Sequence, residues 1–248
     1  MNLYGLTGYP LDHSFSKALF QEKFSEENIS AFYDLFPLQD VSGIRELFLK
    51  TPSLEGLNVT MPFKTAVIPF LDALDAIALQ TGAVNTVKVY REKTGLFLKG
   101  FNTDAYGFEK SFAGFYKNEG GHALVLGSGA SSRTVQYVLN KMSIFSRIVT
   151  RHPANKEQLH YSQTDKKILE KYNIIINTTP LGMVPEISNC PPIAYEWLNT
   201  DHFLFDLIYN PAETLFLKKG KEAGAHTENG MEMLLLQAVE SWRIWQEA

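Results

Sequence analysis

His122-Ala123-Leu124-Val125-Leu126-Gly127-Ser128-Gly129-Ala130-Ser131-Ser132 decides the fold class. A short apolar run stops at two closely spaced glycines, and Val135, Val138, Leu139 and Met142 then follow at helical spacing. Strand, glycine-rich turn and helix, in that order, are what a dinucleotide site requires. The glycines make the turn tight and let the backbone approach a pyrophosphate at the helix N-terminus. Gly127, Ser128, Gly129, Ala130 and Ser131 are therefore candidate cofactor-binding residues, with Ser132 standing where the fingerprint has a third glycine or alanine.

Downstream, the segment Arg147 to Thr150 reads as the next strand and runs into Arg151-His152. An NAD site places an acidic residue near this point, whereas an arginine suits the 2′-phosphate of NADP. Thr150 and Arg151 join the candidates, with Lys156 close behind. Asn173 to Asn177 is rich in isoleucine and reads as a buried strand. The polar turn after it, through Thr178 and Thr179, falls at the carboxyl edge of a parallel sheet, beside a cofactor. His202 to Tyr209 reads as another buried strand, closed by Asn210-Pro211. A helix is expected over 214–223 and a turn at Glu228-Asn229-Gly230. The last helix runs from Met231 to about Gln246, with Leu234, Leu235, Ala238, Trp242 and Trp245 on one face and Gln237 beside it.

Upstream, strand and helix patterns alternate over the first hundred residues, which argues for layered α/β structure. Leu3 to Thr7 and Ala31 to Phe36 read as strands, with a helix from about Ser16 between them. Ser14 and Ser16 sit where N-caps belong; two hydroxyls beside open helix N–H groups also suit a carboxylate. Asn58-Val59-Thr60-Met61-Pro62-Phe63-Lys64 reads as a strand end, a polar turn and a helix start, with Pro62 just inside the helix and Ala66, Val67, Phe70 and Leu71 continuing it. Lys64 is either a solvated first-turn residue or a functional cation. A hairpin is expected over 84–99, turning through Arg91 to Thr94, with Asn85 just inside its first strand. Strands are poor in Asn, so Asn85 marks a bulge or an amide aimed at a ligand. Asp104 opens a helix bearing Phe108, Phe112 and Phe115, where an acidic residue caps or complements the dipole.

The composition is that of an ordinary globular protein of 248 residues, 45% hydrophobic, which needs no covalent staple. A net charge of −4 argues against a nucleic-acid partner. No apolar stretch approaches a membrane span, and the N-terminus lacks a signal-peptide pattern. Cys190 is the only cysteine, which fits a reducing compartment. A cytoplasmic protein is expected.

In order along the chain, Gly8-Tyr9-Pro10 with His13-Ser14-Phe15-Ser16, Asn58 to Lys64, Gly82-Ala83-Val84-Asn85-Thr86 and Gly100-Phe101-Asn102-Thr103-Asp104 resemble the shikimate dehydrogenase family. So do Asn177 to Met183, Asp206-Leu207-Ile208-Tyr209-Asn210-Pro211 and the ending from Gly230 to Ala238. The resemblance implies an α/β protein of two domains: an N-terminal α/β substrate domain, 1–104 with 230–248, and a Rossmann-like doubly wound nucleotide domain, 105–229. The C-terminal helix returns to the first. It implies reduction of 3-dehydroshikimate to shikimate with NADPH in aromatic amino-acid biosynthesis, with Lys64 and Asp104 as the catalytic pair. Ser14 and Ser16 match the carboxylate-binding serines. Thr60, Asn85, Asp104, Tyr209 and Gln237 match contacts to ring hydroxyls, and Met183 and Gly230 match contacts to nicotinamide. The chain departs from the family in having Lys17, Phe20 and Gln21 after the serines, Ala130 in the glycine loop, and Asn155-Lys156 where a second arginine usually follows Arg151. Expected partners are the small-molecule substrate and NADP(H), with the chain a monomer or homodimer. A quinate/shikimate dehydrogenase using NAD is the alternative enzyme, and a non-catalytic metabolite sensor on the same fold the alternative outside catalysis.

Overall fold

A computed structural model describes residues 2–11, 14–93 and 95–247. The turn residue Thr94, and Asp12 and His13 of the Gly8–Ser16 stretch, lie outside the described residues. The chain forms two compact units, one of residues 1–103 with 237–248 and one of 104–236. The second crossing falls inside the last helix.

The first unit is built on a sheet of six strands: β1 (Asn2–Gly8), β2 (Ala31–Pro37), β3 (Leu54–Val59), β4 (Ala73–Leu74), β5 (Thr86–Glu92) and β6 (Gly95–Phe101), in the order β2-β1-β3-β5-β6-β4. β1 runs parallel to β2 and β3, while β5 is antiparallel to both β3 and β6. Its helices are α1 (Ser16–Glu26), α2 (Ile44–Lys50), α3 (Phe63–Ala66) and α4 (Ala76–Thr81). The period-2 alternation of strand side chains divides its core. Leu57, Val59, Val87 and Val89 point to the α2 face with Ile44 and Phe48. On the other face Tyr4, Phe20, Tyr33 and Trp245 pack together, with Phe20 stacked on Tyr33 at 4.4 Å. Gly56 is glycine because a Cβ there would lie 2.1 Å from the Trp245 indole nitrogen.

The second unit has a six-stranded sheet of β7 (Gly121–Leu126), β8 (Ile144–Thr150), β9 (Leu159–His160), β10 (Ile174–Asn177), β11 (Phe203–Asp206) and β12 (His226–Glu228). The order is β12-β11-β10-β7-β8-β9, and every pairing is parallel. This is the doubly wound Rossmann order, with its topological switch between β7 and β10. Its helices are α5 (Thr103–Phe115), α6 (Ala130–Lys141), α7 (Lys166–Lys171) and α8 (Leu215–Glu222); α9 (Met231–Gln246) spans both units. Phe108, Phe112 and Phe115 of α5 all pack on Phe205 of β11.

Several expectations are corrected. Pro62 is the N-cap of α3, not its first residue, and α3 stops after one turn. A 3-10 turn over Ile68–Phe70 replaces its continuation, because Pro69 lacks the N–H that the next helical bond needs. Asn85 precedes β5. β11 ends at Asp206, three residues before Tyr209, because the Asp206 carboxyl turns the chain by accepting from Ile208 N–H. Leu235 is exposed; Met233, Ser241 and Ile244 face inward instead.

Candidate functional site

In the first unit the candidates gather at the carboxyl end of β3. Thr60 N–H donates to the Thr7 carbonyl, and Phe63 N–H to the Thr60 carbonyl, which sets the turn into α3. Val84 N–H donates to the Lys64 carbonyl at 2.7 Å, so the lysine backbone is pinned beside Asn85. Lys64 and Thr60 are half-buried. Ser14 and Ser16 are half-buried too, and Ser14 Oγ accepts from Ser16 N–H at 3.3 Å. The N-cap of α1 is Phe15, with no side-chain cap, so Ser14 serves the helix start from one residue further out.

Asn85 is buried within a lattice of neutral polar groups. Its Oδ1 accepts from Thr103 N–H at 2.7 Å, which fixes the amide's orientation. Its Nδ2 therefore donates, to Thr103 Oγ1 at 2.9 Å and to Gln237 Oε1 at 3.3 Å. Asn58 is fixed the same way: its Nδ2 donates to the Asn85 carbonyl, Thr86 Oγ1 and Ser241 Oγ, and its Oδ1 accepts from the Tyr33 hydroxyl at 2.8 Å. Thr86, Thr103 and Ser241 hydroxyls bond to one another at 2.8–3.2 Å. Burial pushes the Tyr33 hydroxyl well above the ordinary tyrosine range, so it stays a donor. Sequence reasoning missed Ser241, since a serine in an amphipathic helix reads as solvated. The signal was its spacing, one turn beyond Gln237, whose carbonyl it bonds at 2.9 Å.

In the second unit the switch point carries the glycine loop. Gly127 has φ +108°, and a Cβ there would meet Thr178 Oγ1 at 2.9 Å. Thr178 bonds the Leu126 carbonyl through both N–H and hydroxyl. Ser132 is buried and donates to the Gly127 carbonyl at 2.8 Å, which is why a serine serves at the third position. Gly129 is the N-cap of α6 and supplies no side-chain cap; a Cβ built on it meets nothing within 4 Å. Ala130 and Ser131 open the helix, and its first N–H groups are the donors an anion needs. Ser128 Oγ lies 3.3 Å from Thr150 Oγ1 at the end of β8, with Arg151 exposed next in sequence. This donor set fits a pyrophosphate at the loop and a charged group near Arg151.

Behind that loop lies a second hub. Asn177 Oδ1 accepts from Thr179 N–H and hydroxyl, and its Nδ2 donates to Asp206 Oδ1 at 3.0 Å. Asp206 also accepts from Ile208 N–H at 3.0 Å and the Thr214 hydroxyl at 2.6 Å. Burial pushes the Asp206 carboxyl up to about 7, against the pull of those three donors. Tyr209 is half-buried in the loop beyond. Gly230 N–H donates to the Ile208 carbonyl, and a Cβ on Gly230 would lie 2.2 Å from the Leu207 carbonyl. Met183 is exposed in the loop after β10. Asp104 is buried in the first turn of α5. Among the described residues no helix is long and apolar enough to cross a membrane.

Fold and loops define a two-unit α/β protein whose second unit is Rossmann-like. A family model described as the shikimate dehydrogenase substrate binding domain matches residues 6–87. The shikimate dehydrogenase (NADP(+)) of Clostridium beijerinckii is 37% identical, over 100% of this chain and 93% of its own. A shikimate dehydrogenase solved in complex with NADP+ superposes with a TM-score of 0.86 at 30% identity, covering 99% of this chain and 90% of that one. A quinate dehydrogenase from Corynebacterium glutamicum, solved with NAD, superposes with a TM-score of 0.85 at 26% identity, covering 99% and 93%. The chain belongs to the shikimate dehydrogenase family.

Proposed function

We propose that this chain is an NADP-dependent shikimate dehydrogenase, reducing 3-dehydroshikimate to shikimate in aromatic amino-acid biosynthesis. The observation that carries the reading is the side-chain set held by the first unit. Lys64, Thr60, Asn85 and Gln237 offer one cation and several neutral hydrogen-bonding groups, which suits a polyhydroxylated ketone. We assign Ser14, Ser16, Thr60, Lys64, Asn85 and Gln237 of the first unit to the substrate, and the glycine loop of the second to the nucleotide.

NADPH supplies the hydride when bound. Reduction of a ketone builds negative charge on its oxygen, and a proton must then reach it. Lys64 is assigned both roles, stabilising the oxygen and giving it the ammonium proton. Asp104 is its catalytic partner and accepts from a substrate hydroxyl. Thr60, Asn85, Tyr209 and Gln237 orient the other hydroxyls, and Ser14 and Ser16 donate to the carboxylate. Gly127 to Ser131 with Thr178 and Thr179 hold the pyrophosphate end, Thr150 and Arg151 the 2′-phosphate, and Met183 and Gly230 the nicotinamide.

The departure after Arg151 keeps a second reading in view, a dehydrogenase of quinate and shikimate using NAD. The test is turnover of shikimate and of quinate, each with NADP+ and with NAD+. Turnover with shikimate and NADP+ alone is expected. Comparable turnover with quinate or NAD+ moves the chain to the second reading, and shikimate binding without turnover makes it a sensor. A monomer or homodimer in the cytoplasm is the setting proposed, in keeping with the single free thiol of Cys190.

A further inference from the structure

Asp206 takes no part in the chemistry above, yet it is wholly buried and bonds to three elements at once. Among the described residues no cation pairs with it, and the hydrogen bonds from Thr214, Ile208 and Asn177 are what offset its burial. Its Oδ1 receives the Asn177 amide from the end of β10 and the Ile208 N–H from the loop after β11. Its Oδ2 receives the hydroxyl of Thr214, which caps α8. The backbone continues the connection. Leu207 N–H donates to the Asn177 carbonyl, Val184 N–H to the Asn210 carbonyl, and Gly230 N–H to the Ile208 carbonyl. The loops carrying Met183, Tyr209 and Gly230 are thereby referenced to one carboxyl group.

A group this costly to bury is poor value as mere stability, since an apolar side chain of similar volume holds a core as well. What it provides is a fixed relation among three loops. We infer that Asp206 is a positioning residue that sets the nicotinamide-facing loops against one another through Asn177, Ile208 and Thr214. The inference rests on the dehydrogenase reading and deepens it. The adenosine end has its own anchors, in the glycine loop and Arg151, so the effect of Asp206 should be confined to the reacting end.

The experiment uses the full chain and two measurements, steady-state oxidation of shikimate by NADP+ and binding of adenosine 2′,5′-bisphosphate, which has the phosphate end of the cofactor and no nicotinamide. Asp206→Ala should lower kcat about 10–100-fold, as expected when reacting groups are misplaced by about an ångström. It should leave bisphosphate affinity within about twofold of wild type. Asp206→Asn, which keeps the acceptor for Asn177 and Ile208, should recover most of kcat. If the alanine variant does not fold, Thr214→Val removes the hydroxyl that donates to Asp206 and accepts from Leu217 N–H, with little change of shape, and should cost about 3–10-fold in kcat. Turnover within threefold of wild type in Asp206→Ala overturns the inference, as does loss of bisphosphate binding in step with kcat. With Asp206→Ala unfolded, unchanged turnover in Thr214→Val overturns it. A wild-type chain inactive on shikimate overturns the parent reading and the inference with it.

Discussion

In the first unit, Asn58, Asn85, Thr86, Thr103 and Ser241 each bond to at least two others of the set, so the candidate ligand-binding amides have fixed orientations before any ligand arrives. In the second, α6 starts at Gly129, an N-cap residue with no side chain to bond the first main-chain N–H groups. The first arrangement presents side-chain donors of set direction, the second the backbone of a helix start. Under the proposed function the difference matches what each ligand presents. A ring with several hydroxyls needs individually placed donors and acceptors, while a pyrophosphate needs only converging N–H groups.

The comparison can be broken most sharply at its cation. Lys64→Ala should lower kcat by about 10³-fold, within the range for loss of a general acid. The circular dichroism spectrum should not change, because the carbonyl that binds Val84 is retained. Near-normal turnover would remove Lys64 from the mechanism.

Asp206 tests whether the second unit tolerates a buried charge. Its carboxyl is raised to about 7 in the fold and is ordinary, near 3.9, when unfolded. The native state therefore holds the extra proton. The stability this contributes is complete below about pH 4 and is lost as pH rises towards 7, by roughly 4 kcal/mol in all. Urea unfolding of wild type and Asp206→Asn from pH 4.5 to 8 should show this slope only in wild type. Parallel curves would mean that the carboxyl is ionised throughout.

Asn58→Asp sharpens the claim about orientation. It turns an oxygen towards the Asn85 carbonyl and removes the donor to Ser241, so unfolding free energy should fall by about 3 kcal/mol. A loss below about 0.5 kcal/mol would show that the lattice reorganises freely. Gly129→Ala gives the smallest effect. Its φ of −85° suits alanine and the site is open, so thermal stability should hold within about 1 °C. The added methyl stands at the helix mouth and should raise KM for NADP+ about tenfold. Unchanged KM would place the pyrophosphate elsewhere.

Much of this was legible in the sequence wherever periodicity and turn chemistry agreed. The Gly127–Ser131 loop, the isoleucine strand before Thr178 and the helix carrying Val135 and Val138 all follow from local pattern. Apolar spacing carries the helix after Lys64 too far, because spacing says nothing of the N–H that Pro69 lacks. The inward face of α9 was misjudged because Leu235 looked more apolar than Ser241, although burial there is decided by hydrogen bonds to Asn58 and Thr86. The role of Asp206 was hidden, because its partners Asn177 and Thr214 come from separate elements and meet only in the folded sheet.

Trp245 lies over Gly56 and donates to the Val87 carbonyl, and Lys88 donates to the Ile244 carbonyl at the end of α9. During synthesis the whole second unit leaves the ribosome before these residues do. Until then Trp245 cannot cover Tyr4, Phe20 and Tyr33. The oldest aromatic residues of the first unit thus depend on a partner made after all of residues 104–236.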